Sequence, residues 1–121
     1  MQPGLTRAAP SNPGRHSVRS LLSDIGIQRE LGTLPGWTRR GVALMKTFQS
    51  ASFPEAIAFV SRVADGADAR NHHPDIDIRY TKVTFTLSTH DSGGITELDV
   101  ALARDIEQQF HEGNGGARPS A

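Results

Sequence analysis

The chain has 121 residues, with thirteen basic and thirteen acidic side chains, a formal net charge of zero and no cysteine. That length has room for one hydrophobic core, and the balanced charge supplies no field to gather a phosphate backbone or an anionic membrane, which argues against nucleic acid or membrane as direct partners. The lack of cysteine excludes a disulfide framework, a thiolate nucleophile and a thiolate metal site, and no apolar run approaches the about 20 residues of a bilayer span, so a cytoplasmic protein is expected.

Residues 1–22 are expected to form a disordered N-terminal arm. Pro3, Gly4, Pro10, Pro13 and Gly14 interrupt any apolar period, and Arg7, Arg15 and Arg19 precede the first acid, Asp24. The same Arg-containing, acid-free composition leaves organelle targeting open as an alternative. Residues 23–112 make the expected folded domain and 113–121 a disordered tail.

Within the domain, Ser23 can cap a short helix carrying Ile25, Ile27 and Leu31, which Leu34-Pro35-Gly36 then breaks. Two short strands are expected between Trp37 and Gln49, turning at Gly41. Ser52 and Glu55 form a capping box for a helix whose apolar positions, Ala56, Phe59, Val60, Val63, Ala64 and Ala67, recur at helical spacing. Ile76, Ile78 and Tyr80 then alternate with polar residues, as do Val83, Phe85 and Leu87, which gives a hairpin. With Thr81 and Lys82 as its tight turn, Tyr80 opposes Val83, Ile78 opposes Phe85 and Ile76 opposes Leu87, all on one face. Thr96, with Asp99 three residues on, opens a last helix that places Leu98, Ala101, Leu102, Ile106 and Phe110 on one stripe. The order α-β-β-α-β-β-α predicts an α+β domain, a four-stranded antiparallel sheet with helices packed on one face.

The expected register carries the chemistry with it. It sets His73 across from His90 at the open end of the hairpin and His72 across from Asp91, with small polar groups around them. Imidazole can give or take a proton near neutral pH, which suits a reaction needing both acts. A plainer reading stays open here: a His-His-Pro loop, a solvated His90, and Asp99 as only the acid of a helix cap. Three histidines can also bind zinc, but adjacent side chains of an extended segment diverge and no His-x-His or His-x-x-x-His spacing occurs, so no metal is expected.

Asp68, His72-His73-Pro74, Tyr80, His90 and Asp99 stand at the spacing of a known motif. Around them, Leu34-Pro35-Gly36-Trp37, Lys46-Thr47-Phe48, Phe53-Pro54-Glu55-Ala56 and the run from Ser88 to Thr96 strengthen the likeness. The chain resembles the pterin carbinolamine dehydratases. The resemblance implies dehydration of 4a-hydroxytetrahydropterin to quinonoid dihydropterin, the recycling step that follows an aromatic amino acid hydroxylase, with no cofactor. It implies His72 and His90 as proton donor and acceptor, and His73 as a catalytic histidine that mainly positions the pterin. Asn71, Ser88, Thr89 and Asp91 match substrate-binding positions, and Asp68 and Asp99 match supporting ones. Asp68 departs from the family's more usual Glu. The resemblance further implies a homo-oligomer, a dimer or tetramer, built through sheet edges and helices. Some relatives are instead non-catalytic modules that help a transcription factor dimerise or a carbon-fixing enzyme assemble; the retention of all three histidines favours the enzyme.

Overall fold

The computed structural model of the chain describes residues 19–117. Its elements follow the expected order: α1 (Asp24–Leu31), β1 (Thr38–Arg40), β2 (Ala43–Gln49), α2 (Phe53–Arg70), β3 (Asp75–Arg79), β4 (Lys82–Leu87), a single 3₁₀ turn (His90–Ser92) and α3 (Glu97–Ala117). The caps read from the sequence do their work. Ser23 Oγ accepts from the Gly26 N–H and Ser52 Oγ from the Glu55 N–H, each satisfying a donor that a helix start leaves unpaired.

All strands are antiparallel, in the order β1-β2-β4-β3. Leu44, Phe48, Val83, Phe85 and Leu87 project from the two central strands to one face. There they meet Ala56, Phe59, Val63 and Ala67 of α2 and Leu102, Ala103 and Ile106 of α3, all buried. Phe48 is the hub of an aromatic cluster, with Trp37, Phe59, Phe85 and Phe110 at centroid distances of 6.1, 5.2, 5.9 and 4.9 Å. Burying each such ring stabilises the fold by about 1.5–3 kcal/mol, before any gain from edge-to-face geometry. On the opposite face the hydroxyls of Thr47 and Thr84 meet across the strands at 2.7 Å.

The hairpin register departs from expectation. Ile76 opposes Phe85, Ile78 opposes Val83 and Arg79 opposes Lys82, so the turn falls at Tyr80 and Thr81 rather than at Thr81 and Lys82. Tyr80 takes a left-handed φ of 57° to make it. The slip preserves side-chain parity, so Ile76 and Ile78 still share a sheet face with Val83 and Phe85. It removes the expected cross-strand pairing of His73 with His90 and of His72 with Asp91, because β3 begins only at Asp75 and β4 ends at Leu87.

β3 is an edge strand, and every residue in it is exposed. Ile76 and Ile78, each 38% exposed, lie in it, and Tyr80, just beyond, stacks on Phe53 at 6.4 Å.

Both ends of the domain differ from the expected boundaries. Arg19 to Leu22, placed in the arm by the sequence reading, are held to the loop before α3. The Arg19 N–H donates to Ser92 Oγ (2.9 Å), Ser92 Oγ donates to the Arg19 carbonyl (2.6 Å), and the Leu22 N–H donates to the Ile95 carbonyl (2.9 Å). The rest of the expected arm, residues 1–18, lies outside the described residues. At the other end α3 continues past Glu112 to Ala117, into the expected tail, and residues 118–121 lie outside the described residues. Among the described residues no helix is long and apolar enough to cross a membrane.

Candidate active site

α2 ends at Arg70, and Asn71 takes the left-handed conformation (φ 54°) that turns the chain out of the helix. Asparagine tolerates that region better than most residues. The His72 N–H then donates back to the Ala67 carbonyl, which fixes the chain as it leaves the helix. On the other side, β4 gives way after Leu87 to Ser88, Thr89 and the 3₁₀ turn. The Thr89 carbonyl there accepts from the N–H groups of Ser92, Gly93 and Gly94, and Gly93 holds a φ of 77°.

Between these two segments lies an open cavity of about 400 Å³. Its walls include His72, His73 and His90 together with Asn71, Ser88, Thr89 and Asp91. All seven residues singled out from the sequence as catalytic or substrate-binding therefore converge, although the expected strand pairing does not bring them there. The cavity is of the size that holds a small fused-ring ligand.

The three histidines have different surroundings. His72 Nε2 is 2.7 Å from Oδ1 of Asp99, and the Asp99 side chain is fully buried. An ionised carboxylate only accepts, so Nε2 carries the proton and Nδ1 is the nitrogen left to exchange one with a ligand. His73 Nε2 is 3.3 Å from Oδ1 of Asp68, but both side chains are well exposed and water screens the pair. His90, in the 3₁₀ turn, is exposed.

Asp99 serves two structures at once. Its Oδ2 accepts from the Thr96 N–H at 2.9 Å, closing the start of α3, and from Thr89 Oγ1 at 2.8 Å, while Oδ1 takes His72. The helix cap and the histidine support, which the sequence left as alternatives, coexist on one carboxylate. Asp68 stands in the last turn of α2, its side chain 85% exposed.

Four nearby residues were not among the site residues read from the sequence. Arg19, Arg70 and Leu98 also line the cavity, and Thr96 is buried beside it, its hydroxyl 2.7 Å from that of Thr89. Arg70 adjoins Asn71 and Thr96 was legible as a cap, but nothing in the arm's composition marks Arg19. Among the described residues no group of three or more His, Cys, Asp or Glu side chains is arranged to hold a metal ion.

A family model described as pterin 4 alpha carbinolamine dehydratase matches residues 20–109. The chain belongs to this family. Among its dehydratase relatives, a protein of Roseiflexus castenholzii provisionally named pterin-4-alpha-carbinolamine dehydratase is 57% identical over 91 residues, 75% of this chain and 98% of the relative. One of Nocardia farcinica with the same provisional name is 56% identical over 73% of this chain and 93% of its own. A solved Brucella melitensis structure, titled a transcriptional coactivator/pterin dehydratase, superposes with a TM-score of 0.72 at 30% identity, covering 74% of this chain and 98% of that one. A pterin dehydratase-like protein identified as a RuBisCO assembly factor in the alpha-carboxysome shares the fold, with a TM-score of 0.52 at 23% identity over 60% of this chain and 84% of its own.

Proposed function

We propose that the protein dehydrates 4a-hydroxytetrahydropterin to quinonoid dihydropterin by histidine acid–base catalysis, in the recycling of a pterin used by an aromatic amino acid hydroxylase. The observation that carries this reading is the oriented His72, with its proton held on Nε2 by buried Asp99, sharing one cavity with His90. The substrate bears a hydroxyl on C4a next to the ring nitrogen N5. His90 donates a proton to the hydroxyl, the nitrogen lone pair expels it as water, and His72 takes the nitrogen's proton on Nδ1. One proton is given and one taken, so the elimination is redox-neutral and needs no electron carrier. Asp99 keeps the His72 ring in its working tautomer and faces the imidazolium that forms with a counter-charge. His73 and Asp91 contact the pterin, with Asn71 and Ser88 shaping the wall beside them.

A homo-oligomer completes the proposal. The apolar edge of β3, with Ile76 and Ile78 exposed beside Phe53 and Tyr80, has unpaired backbone groups that a second copy can cover. A purely binding or assembly role, of the kind the carboxysome protein's title describes, is the second reading; the three histidines lining one cavity favour catalysis. The deciding experiment is stopped-flow measurement of 4a-hydroxytetrahydropterin decay with and without the purified protein.

A further inference from the structure

We infer that Thr89 is a positioning residue that acts on the reaction through Asp99 and His72, and not a residue that binds the substrate. The inference rests on the dehydratase reading above. Thr89 lines the cavity, yet its side chain turns inward and the residue is only 5% exposed. Its backbone is already committed: the N–H donates to the Gly94 carbonyl, and the carbonyl accepts from the 3₁₀ turn that follows. What remains is the hydroxyl, which has one proton to give.

The direction of that proton follows from the neighbours. Thr89 Oγ1 lies 2.8 Å from Oδ2 of Asp99 and 2.7 Å from Oγ1 of Thr96. Both short contacts need a proton between their oxygens, and a buried carboxylate supplies none. Thr89 therefore donates to Asp99, and Thr96 donates to Thr89 while accepting the Leu98 N–H at 3.1 Å. The chain of donors runs one way, Thr96 to Thr89 to Asp99, and ends on the carboxylate that also holds the His72 Nε2–H at 2.7 Å. Thr89 and the Thr96 N–H together occupy Oδ2, which fixes the carboxylate plane and leaves Oδ1 aimed at the imidazole. Loss of the Thr89 hydroxyl frees one side of that carboxylate and, with it, the His72 ring.

The test compares Thr89→Val, which keeps the shape and removes the hydroxyl, with Thr89→Ser, which keeps the hydroxyl. On the full chain three quantities are read: steady-state kinetics, the affinity for a non-reacting 7,8-dihydropterin, and the ¹⁵N resonances of the His72 ring. The inference expects kcat of Thr89→Val to fall about 10-fold, the scale of one lost hydrogen bond to a charged group, while KM and dihydropterin affinity stay within about twofold. It expects the His72 ring to pass from one Nε2-protonated tautomer to a mixture, and Thr89→Ser to restore both readings. Weaker dihydropterin binding with an unchanged His72 spectrum overturns it in favour of a substrate contact, and an unchanged spectrum with unchanged kinetics overturns it outright. If Thr89→Val does not fold, Thr96→Val removes the donor to Thr89 instead. A shifted His72 spectrum at unchanged dihydropterin affinity then supports the chain of donors, and an unshifted one overturns it. A wild-type protein that turns over no pterin would sink the dehydratase reading, while the His72 spectra would still decide the role of Thr89.

Discussion

His72 and Asp99 stand 27 positions apart in sequence, and in the fold the Nε2 of one lies 2.7 Å from a fully buried carboxylate oxygen of the other. The carboxylate reaches that place because it also caps α3, so the start of a helix and the orientation of a cavity histidine depend on the same side chain.

Asp99→Asn is expected to separate charge from shape. With the amide oxygen kept on the Thr96 N–H, the amide nitrogen faces His72 and demands an acceptor there, which drives the ring to the wrong tautomer. The dehydration rate should fall by about 10²–10⁴-fold with a circular dichroism spectrum close to wild type. Near-normal turnover in a folded variant would show that Asp99 is only a cap.

The histidines are expected to divide by parameter. His72→Ala and His90→Ala should each lower kcat by about 10²–10⁴-fold, whereas His73→Ala, exposed and loosely paired with Asp68, should act mainly on KM. Steady-state kinetics on the three variants checks this, and full activity in either of the first two removes that residue from the mechanism.

Phe48→Ala should cost about 3–5 kcal/mol of folding stability, because it empties the space at the centre of four other rings. Urea denaturation followed by fluorescence of Trp37, itself in the cluster, reads the change directly.

Ile76→Lys combined with Ile78→Lys places two charges on the β3 edge without touching the buried core. The expected result is a smaller particle in sedimentation analysis at an unchanged far-ultraviolet spectrum. A particle of wild-type mass would move the proposed oligomer contact away from this edge.

Removing residues 2–18 should leave the melting temperature and activity near their full-length values, since their composition offers little apolar area to offset the entropy of ordering them. Extending the deletion through Leu22 removes the contacts to Ser92 and Ile95 and the half-buried Leu22. If these are worth about 1 kcal/mol, the melting temperature falls by about 4–8 °C. Equal melting temperatures for the two deletions would mean that the domain gains nothing before Ser23.

The sequence carried the element order because the helix periods, the caps at Ser23 and Ser52, and the strand alternation are local signals. The hairpin slip shows where such signals stop. Alternation fixes which face Ile76 and Ile78 take, but a shift that keeps parity satisfies it equally well, and Tyr80 holds a left-handed conformation that a sequence marks only when glycine or asparagine stands there. At the site, the residues grouped from the sequence line one cavity, but not through the strand pairing expected for them. His72, His73 and His90 meet because the Asn71 turn and the 3₁₀ turn bend two segments toward one cavity, not because they pair across strands. Arg19 and the hydroxyl chain through Thr96 were not legible, since each depends on a contact between distant segments that leaves no period.

Stopped-flow decay of 4a-hydroxytetrahydropterin, run side by side with wild-type protein, His72→Ala and His90→Ala, tests the central claim most directly. The account predicts rapid, saturable acceleration by the wild type and a loss of about 10²–10⁴-fold in each variant. Decay at the spontaneous rate with folded wild-type protein, or equal acceleration by all three, would contradict it.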